Sequence, residues 1–163
     1  MVRNRLDRSA VILAPAFAAF LVMQACGGSS DADAQDALAD PIEGVWEGVV
    51  TLRDCATSAV VATFHGSQAF HRGGTMSDTN STPTASRGPG FGTWTKSGST
   101  YTVRFRLFTY DATGAANGVI RTTRTVTLGA GGTATGVNTS QVFDLAGTLL
   151  RSGCGTDTGT RVL

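Results

Sequence analysis

Tyr101-Thr102-Val103-Arg104-Phe105-Arg106-Leu107-Phe108 alternates apolar and mostly polar side chains with a period of two. Successive side chains of an extended chain point to opposite faces. The run therefore predicts a strand with Tyr101, Val103, Phe105 and Leu107 on one face and Arg104 and Arg106 on the other. Asp111-Ala112-Thr113-Gly114 then supplies a turn, and a second alternating run extends from Val119 to Leu128. Further runs of this kind lie at residues 45–53, 60–70, 75–80, 92–96, 135–143 and 148–156, the last with room to continue toward Val162. Glycine punctuates the junctions, as at Gly73-Gly74, Gly98, Gly114, Gly131-Gly132 and Gly147, where turns call for positive φ. No stretch beyond residue 40 carries a sustained helical stripe.

Residues 41–163 are the length of one domain. Short antiparallel strands in about 120 residues leave two architectures, a sandwich and a closed up-and-down barrel. The cysteines favour the barrel. Cys55 follows the first run and Cys154 lies in the last, and a bridge between them would close a loop of 99 residues (154 minus 55). In an up-and-down meander the first and last strands meet only on closure. The expectation is an all-β, eight-stranded antiparallel barrel with a Cys55–Cys154 disulfide. Two unrelated buried thiols are the alternative, disfavoured in an oxidising compartment; metal ligation would require neighbouring Cys or His at ligand spacing.

The pairing depends on the third cysteine being set aside. Upstream of Cys26 lie Arg3, Arg5 and Arg8 and then an apolar run over residues 10–23, the layout of a secretory leader and too short to span a bilayer. Val22-Met23-Gln24-Ala25-Cys26 resembles the lipobox of bacterial lipoproteins, with Met23 where that family usually has Leu. The resemblance implies a signal peptide over residues 1–25, acylation of Cys26, and attachment to a membrane of the cell envelope. A leader cut at or after Ala25 without acylation is the alternative. Residues 26–40 are small, polar and acidic, which reads as a flexible tether. Removing residues 1–25 takes away three Arg and Asp7, so 13 basic and 12 acidic residues become 10 and 11, a net charge of −1. With no basic stripe, nucleic acid is not an expected partner.

Gly44-Val45-Trp46, opening the first run, is similar to the Gly-x-Trp signature of lipocalins and related calycins. That resemblance implies that Trp46 closes one end of the barrel and that an Arg near the last strand, here Arg161, packs across it. Gly92-Thr93-Trp94 repeats the motif and puts Trp94 in the same setting. The chain is shorter than the lipocalins and lacks their Thr-Asp-Tyr motif, so no ligand identity carries over. Phe70-His71-Arg72-Gly73-Gly74-Thr75, Gly90-Phe91-Gly92-Thr93-Trp94 and Gly153-Cys154-Gly155-Thr156 resemble signposts of a group of secreted bacterial proteins. That likeness implies no activity.

Catalytic constellations are not legible. His65 and His71 share one face of an extended run about 20 Å apart, too far to hold one metal ion. Asp111 and Asp144 fall in turns, where a carboxylate hydrogen-bonds its own backbone. No cofactor, metal or enzymatic activity is expected. On residues 119–128, Ile120, Val126 and Leu128 share a face with Arg124, so an inward apolar face carries Arg124 inward too. A buried guanidinium is costly unless paired, and no carboxylate is obviously placed beside it. Arg124 is therefore expected to meet the anionic end of an apolar ligand whose body touches Tyr101 and Phe105. A place at the barrel mouth, or a carboxylate not legible in sequence, is the alternative. Residues 76–89 hold the longest turn-rich stretch, a candidate lid or an exposed loop. The expected function is a monomeric, lipid-anchored envelope protein that binds or carries a small apolar or amphipathic ligand. An envelope protein-interaction module without a ligand is the alternative.

Overall fold

A computed structural model describes residues 39–163 of the chain. The expected leader, Cys26 and residues 27–38 of the tether lie outside the described residues. Eight antiparallel strands run in the order β1 (Gly44–Arg53), β2 (Val60–His71), β3 (Thr75–Asn80), β4 (Gly90–Ser97), β5 (Thr100–Tyr110), β6 (Ala116–Gly129), β7 (Thr133–Phe143) and β8 (Leu149–Arg161). Each pairs with its sequence neighbour and β8 pairs back on β1, closing an up-and-down barrel. One short 3-10 turn, Ala130–Gly132, links β6 to β7.

The alternation sorts as expected. Tyr101, Val103 and Leu107 are buried, while Arg104 and Arg106 are exposed. On β6 the outward positions Arg121, Thr123, Thr125 and Thr127 are exposed and polar. That strand presents a threonine-rich outer face, unlike the apolar band with which transmembrane barrels meet hydrocarbon. The last strand is longer than the alternating run over residues 148–156. It continues to Arg161 because it has partners that far on both sides: Trp46 of β1 opposite Arg161, and Thr133 of β7 opposite Thr160.

Closure brings two backbones into close approach at the β1–β8 seam. A Cβ on Gly48 would stand 2.0 Å from the Thr158 carbonyl oxygen and 2.7 Å from Gly159 Cα, so only glycine lets the two backbones approach there. Near the other end of the same seam, Cys55 and Cys154 form a disulfide across Cα atoms 5.1 Å apart. A disulfide is compatible with a protein exported from the reducing cytoplasm.

The buried apolar residues gather at one end of the barrel, where β1, β3, β5 and β7 begin. Ile42, Trp46, Phe70, Met76, Val103 and Val126 form the centre of this plug. Ile42 precedes β1 and is fully buried, so the incoming chain itself stoppers the barrel. Asp40, placed in the tether by composition, is held to this end through Tyr101 Oη (2.6 Å) and Lys96 Nζ (3.0 Å). Burial pushes the Asp40 carboxyl up, but hydrogen bonds from Tyr101, the Ile42 N–H and Lys96 outweigh it and hold the group below its ordinary value.

Candidate functional site

Above the plug the interior is open. A cavity of about 1100 Å³ reaches from Trp46 and Phe70 to the opposite end of the barrel, where Val61 and Leu150 lie at its rim. Small inward residues make the space. Gly48, Gly66 and Gly153 line it, and a Cβ added at Gly153 would meet nothing within 4 Å. Val50, Phe64, Phe105, Leu107, Ile120 and Val142 give the walls their apolar character.

A polar layer crosses the barrel at the lower part of this cavity, beside the plug. Arg124 donates from Nε to Asp157 Oδ2 at 2.8 Å and from Nη2 to Asp157 Oδ1, a two-pronged ion pair, and its Nη1 donates to Gln68 Oε1 at 2.5 Å. Gln68 Nε2 in turn donates to Asp78 Oδ1 at 3.0 Å, and Asp78 Oδ2 accepts from Arg87 Nη2 at 2.6 Å. Asn138 Nδ2 reaches Asp157 Oδ2 at 3.4 Å. The strand order explains the assembly. Gln68 lies opposite Asp78 in the β2–β3 ladder, Arg124 opposite Asn138 in β6–β7, and Asp157 opposite Gly136 in β7–β8. Gly136 is required there: a Cβ would lie 2.6 Å from Asp157 Oδ2 and 2.7 Å from Arg124 Nε. Burial pushes the Asp78 carboxyl above the ordinary carboxylate range, against the opposing pull of Arg87 and Gln68.

No family model, curated protein or solved structure matches this chain. What the site can do is therefore read from its own geometry.

The residues singled out in the sequence divide between the two levels. Trp46 lies in the plug with its Nε1 donating to the Ile42 carbonyl at 2.8 Å. The Arg161 guanidinium stacks 5.1 Å from the Trp46 ring and donates to the Pro41 carbonyl. Trp94 packs against the same end, edge-on to Tyr101 at 6.0 Å between ring centres, and donates to the His71 carbonyl. Phe105 and Arg124 line the cavity. Tyr101, expected against a ligand, does not: it is 2 % exposed and its hydroxyl is taken by Asp40. Being near the start of β5, it faces inward at the level of the plug, below the open space. Arg124 points inward as expected, but Asp157 and Gln68 occupy the donors foreseen for a ligand. The turn carboxylates behave as expected, Asp111 accepting from the Thr113 and Ala115 N–H groups and Asp144 from Thr148.

Gln68, Asp78, Arg87 and Asp157 were not identified from the sequence. Asp78 had a signal, since inward Met76 two residues earlier places it on the inner face of β3. Asp157 had one as well: Gly153, Gly155 and Gly159 share its face if the last strand is carried past residue 156. Arg87 had none. It lies in the turn-rich stretch 76–89, which is not wholly exposed loop. Its first part is β3, and near its end Arg87 bridges Thr109, with the Gly88 N–H bonded to the Phe108 carbonyl and the Ser86 carbonyl to the Tyr110 N–H. That backbone pairing turns the Arg87 side chain into the barrel.

Proposed function

We propose that this protein is an exported, lipid-anchored carrier that binds a small apolar or amphipathic ligand inside its barrel. The observation that carries this reading is the cavity of about 1100 Å³ above the plug. Ligand sites are commonly about 300–1,000 Å³, mostly apolar with a few placed polar groups. An eight-stranded barrel has just enough interior to be filled by side chains or to hold one small ligand. Glycine at inward positions favours the second outcome here. The exposed rim residues Val61 and Leu150 give an apolar chain a compatible entrance.

Native mass spectrometry of the protein isolated from its envelope, followed by solvent extraction, tests the carrier reading. An extractable apolar adduct is expected on the wild-type protein. Gly153→Phe, which directs a ring into unoccupied interior space, is expected to remove most of the adduct while the β-sheet circular dichroism spectrum is kept. A wild-type protein that yields no adduct and takes up no added apolar probe would rule the reading out.

Anchoring rests on the lipobox-like stretch and is compatible with the disulfide. The mature N-terminus is expected to be Cys26 carrying acyl chains, measured as the mass of the N-terminal peptide. An unmodified N-terminus at or beyond Cys26 would remove the anchor from the proposal.

A protein-interaction module is favoured by one observation. Phe91 and Phe108, 62 % and 41 % exposed, flank Arg106 on the outer wall of β4 and β5, a small apolar patch of the kind partners use. The Arg106 guanidinium lies over the Phe108 ring at 5.4 Å and partly covers it.

A further inference from the structure

β4, β5, β6 and β7 contain no Asp or Glu, and their outer wall carries Arg104, Arg106 and Arg121, all exposed. The ion pairs among the described residues engage Arg72, Arg87, Lys96 and Arg124 and leave these three out. Arg106 and Arg121 stand directly opposite each other in the β5–β6 ladder. Like charges in that position repel and destabilise a sheet, and no acid on the wall offsets them. The turn carboxylates in this part of the chain, Asp111 between β5 and β6 and Asp144 after β7, accept from the N–H groups of their own turns. Two of the arginines are positioned by rings: the Arg106 guanidinium lies 5.4 Å from the Phe108 ring centre and the Arg121 guanidinium 4.5 Å from that of Phe143. A guanidinium stacked on a ring keeps the N–H edge that matches a carboxylate.

We propose that this wall binds an acidic segment of a partner protein, an extended strand with carboxylates on alternate residues. The proposal rests on the interaction reading of the wall and is independent of the carrier reading. Three features select the class. Arg104 and Arg106 are two residues apart on β5, a repeat of about 7 Å that an extended peptide shares between its own alternate side chains. Arg121 stands on the next strand, about 5 Å to the side, so the carboxylate that meets Arg106 also relieves the repulsion between the opposed pair. Arg–carboxylate contacts of this kind are frequently two-pronged, and arginine clusters are a recurring means of reading acidic motifs. Phe91, opposite Arg106 and 62 % exposed, offers an apolar neighbour to the side chains between the carboxylates. An anionic bilayer is the poorer fit. Membrane-surface binding needs apolar side chains that enter the acyl boundary, and Phe108 and Phe143 lie under guanidinium groups instead.

Fluorescence anisotropy of a labelled decapeptide of alternating Glu and Thr, titrated with the full chain in neutral detergent, tests this. The peptide is expected to bind, the same peptide with Gln for Glu is not, and added salt is expected to weaken the binding. Arg104→Gln/Arg106→Gln/Arg121→Gln, which changes only exposed positions, is expected to keep the β-sheet circular dichroism spectrum and to weaken binding about tenfold to a hundredfold. Arg53→Gln/Arg72→Gln/Arg151→Gln removes the same charge away from these three positions and is expected to bind as the wild type does. An equal loss in both triple variants, or no loss in the first, overturns the proposal, as does a wild type that binds no acidic peptide. Equal binding of the Glu and Gln peptides keeps an interaction wall but overturns the role of its arginines. Phosphatidylglycerol vesicles bound through the same three arginines, with no peptide bound, assign the wall to a membrane and overturn the protein partner. The carrier reading, measured by the extracted adduct, stands or falls separately from each of these results.

Discussion

Replacing Asp157 by alanine is expected to destabilise the barrel by about 3–5 kcal/mol, the range found when one partner of a buried ion pair is removed. Asp157 and Arg124 are 5 % and 12 % exposed in their side chains, and the contact is two-pronged. Taking away the carboxylate leaves a guanidinium in a low-dielectric interior with Gln68 as its remaining partner, and the desolvation it suffered on folding is no longer offset. Typical domains are stable by only about 5–15 kcal/mol, so the variant loses a large share of the total. Urea denaturation followed by circular dichroism measures this as a lower midpoint at unchanged slope. The double variant Arg124→Met/Asp157→Leu is expected to regain most of the loss, since a well-packed apolar pair removes the stranded charge. If Asp157→Ala were as stable as the wild type, water would have to reach Arg124 through the cavity and the layer would not be a dry floor.

Removing the Cys55–Cys154 disulfide is expected to cost about 2–5 kcal/mol, measured on the Cys55→Ser/Cys154→Ser double variant against the oxidised protein. The bridge closes a loop of 99 residues, and in the chain-entropy picture a loop of that length restricts the unfolded ensemble by nearly as much as a single crosslink can, about 4–5 kcal/mol. The native geometry adds a second reason. β1 and β8 pair only through closure, from Trp46 opposite Arg161 to Arg53 opposite Cys154, and the disulfide sits beside the last of these pairs. Without it the seam is held by its hydrogen bonds and, at the far end, by the Arg161–Trp46 stack. Reductant is accordingly expected to lower the denaturation midpoint of the wild type and leave the double variant unaffected.

Much of the architecture was legible because it is local in the chain. A strand writes itself as alternation, and a hairpin as alternation broken by glycine; both need only a few consecutive residues. Arg124 could be assigned to the inner face for the same reason, from Ile120, Val126 and Leu128 on its own strand. Its partner could not. Asp157 lies 33 residues away and Gln68 56 residues away, and which strand stands across the lumen, and at what height, depends on the register and tilt of the whole closed sheet. Tyr101 shows the same limit in the other direction. Its face was correct, but a period of two says nothing about depth along the barrel, and at that depth the interior is plug rather than cavity. Arg87 was the least legible of all, because a turn-rich stretch gives no periodicity from which to read a direction.

The sequence by itself determined an all-β chain, its strands, the inward side of β5 and β6 and the two cysteines that tie the ends of the meander together. These follow from backbone pleat and covalent chemistry, which act between near neighbours or need only two residues of one kind. The tertiary structure alone decided that the barrel is plugged at one end and open above. It also decided that Arg124 is paired with Asp157 and Gln68 and that Arg87 is turned inward onto Asp78. Those outcomes come from packing and charge pairing between distant strands, where the volume left by inward glycines and the distance between two side chains exist only once the sheet has closed.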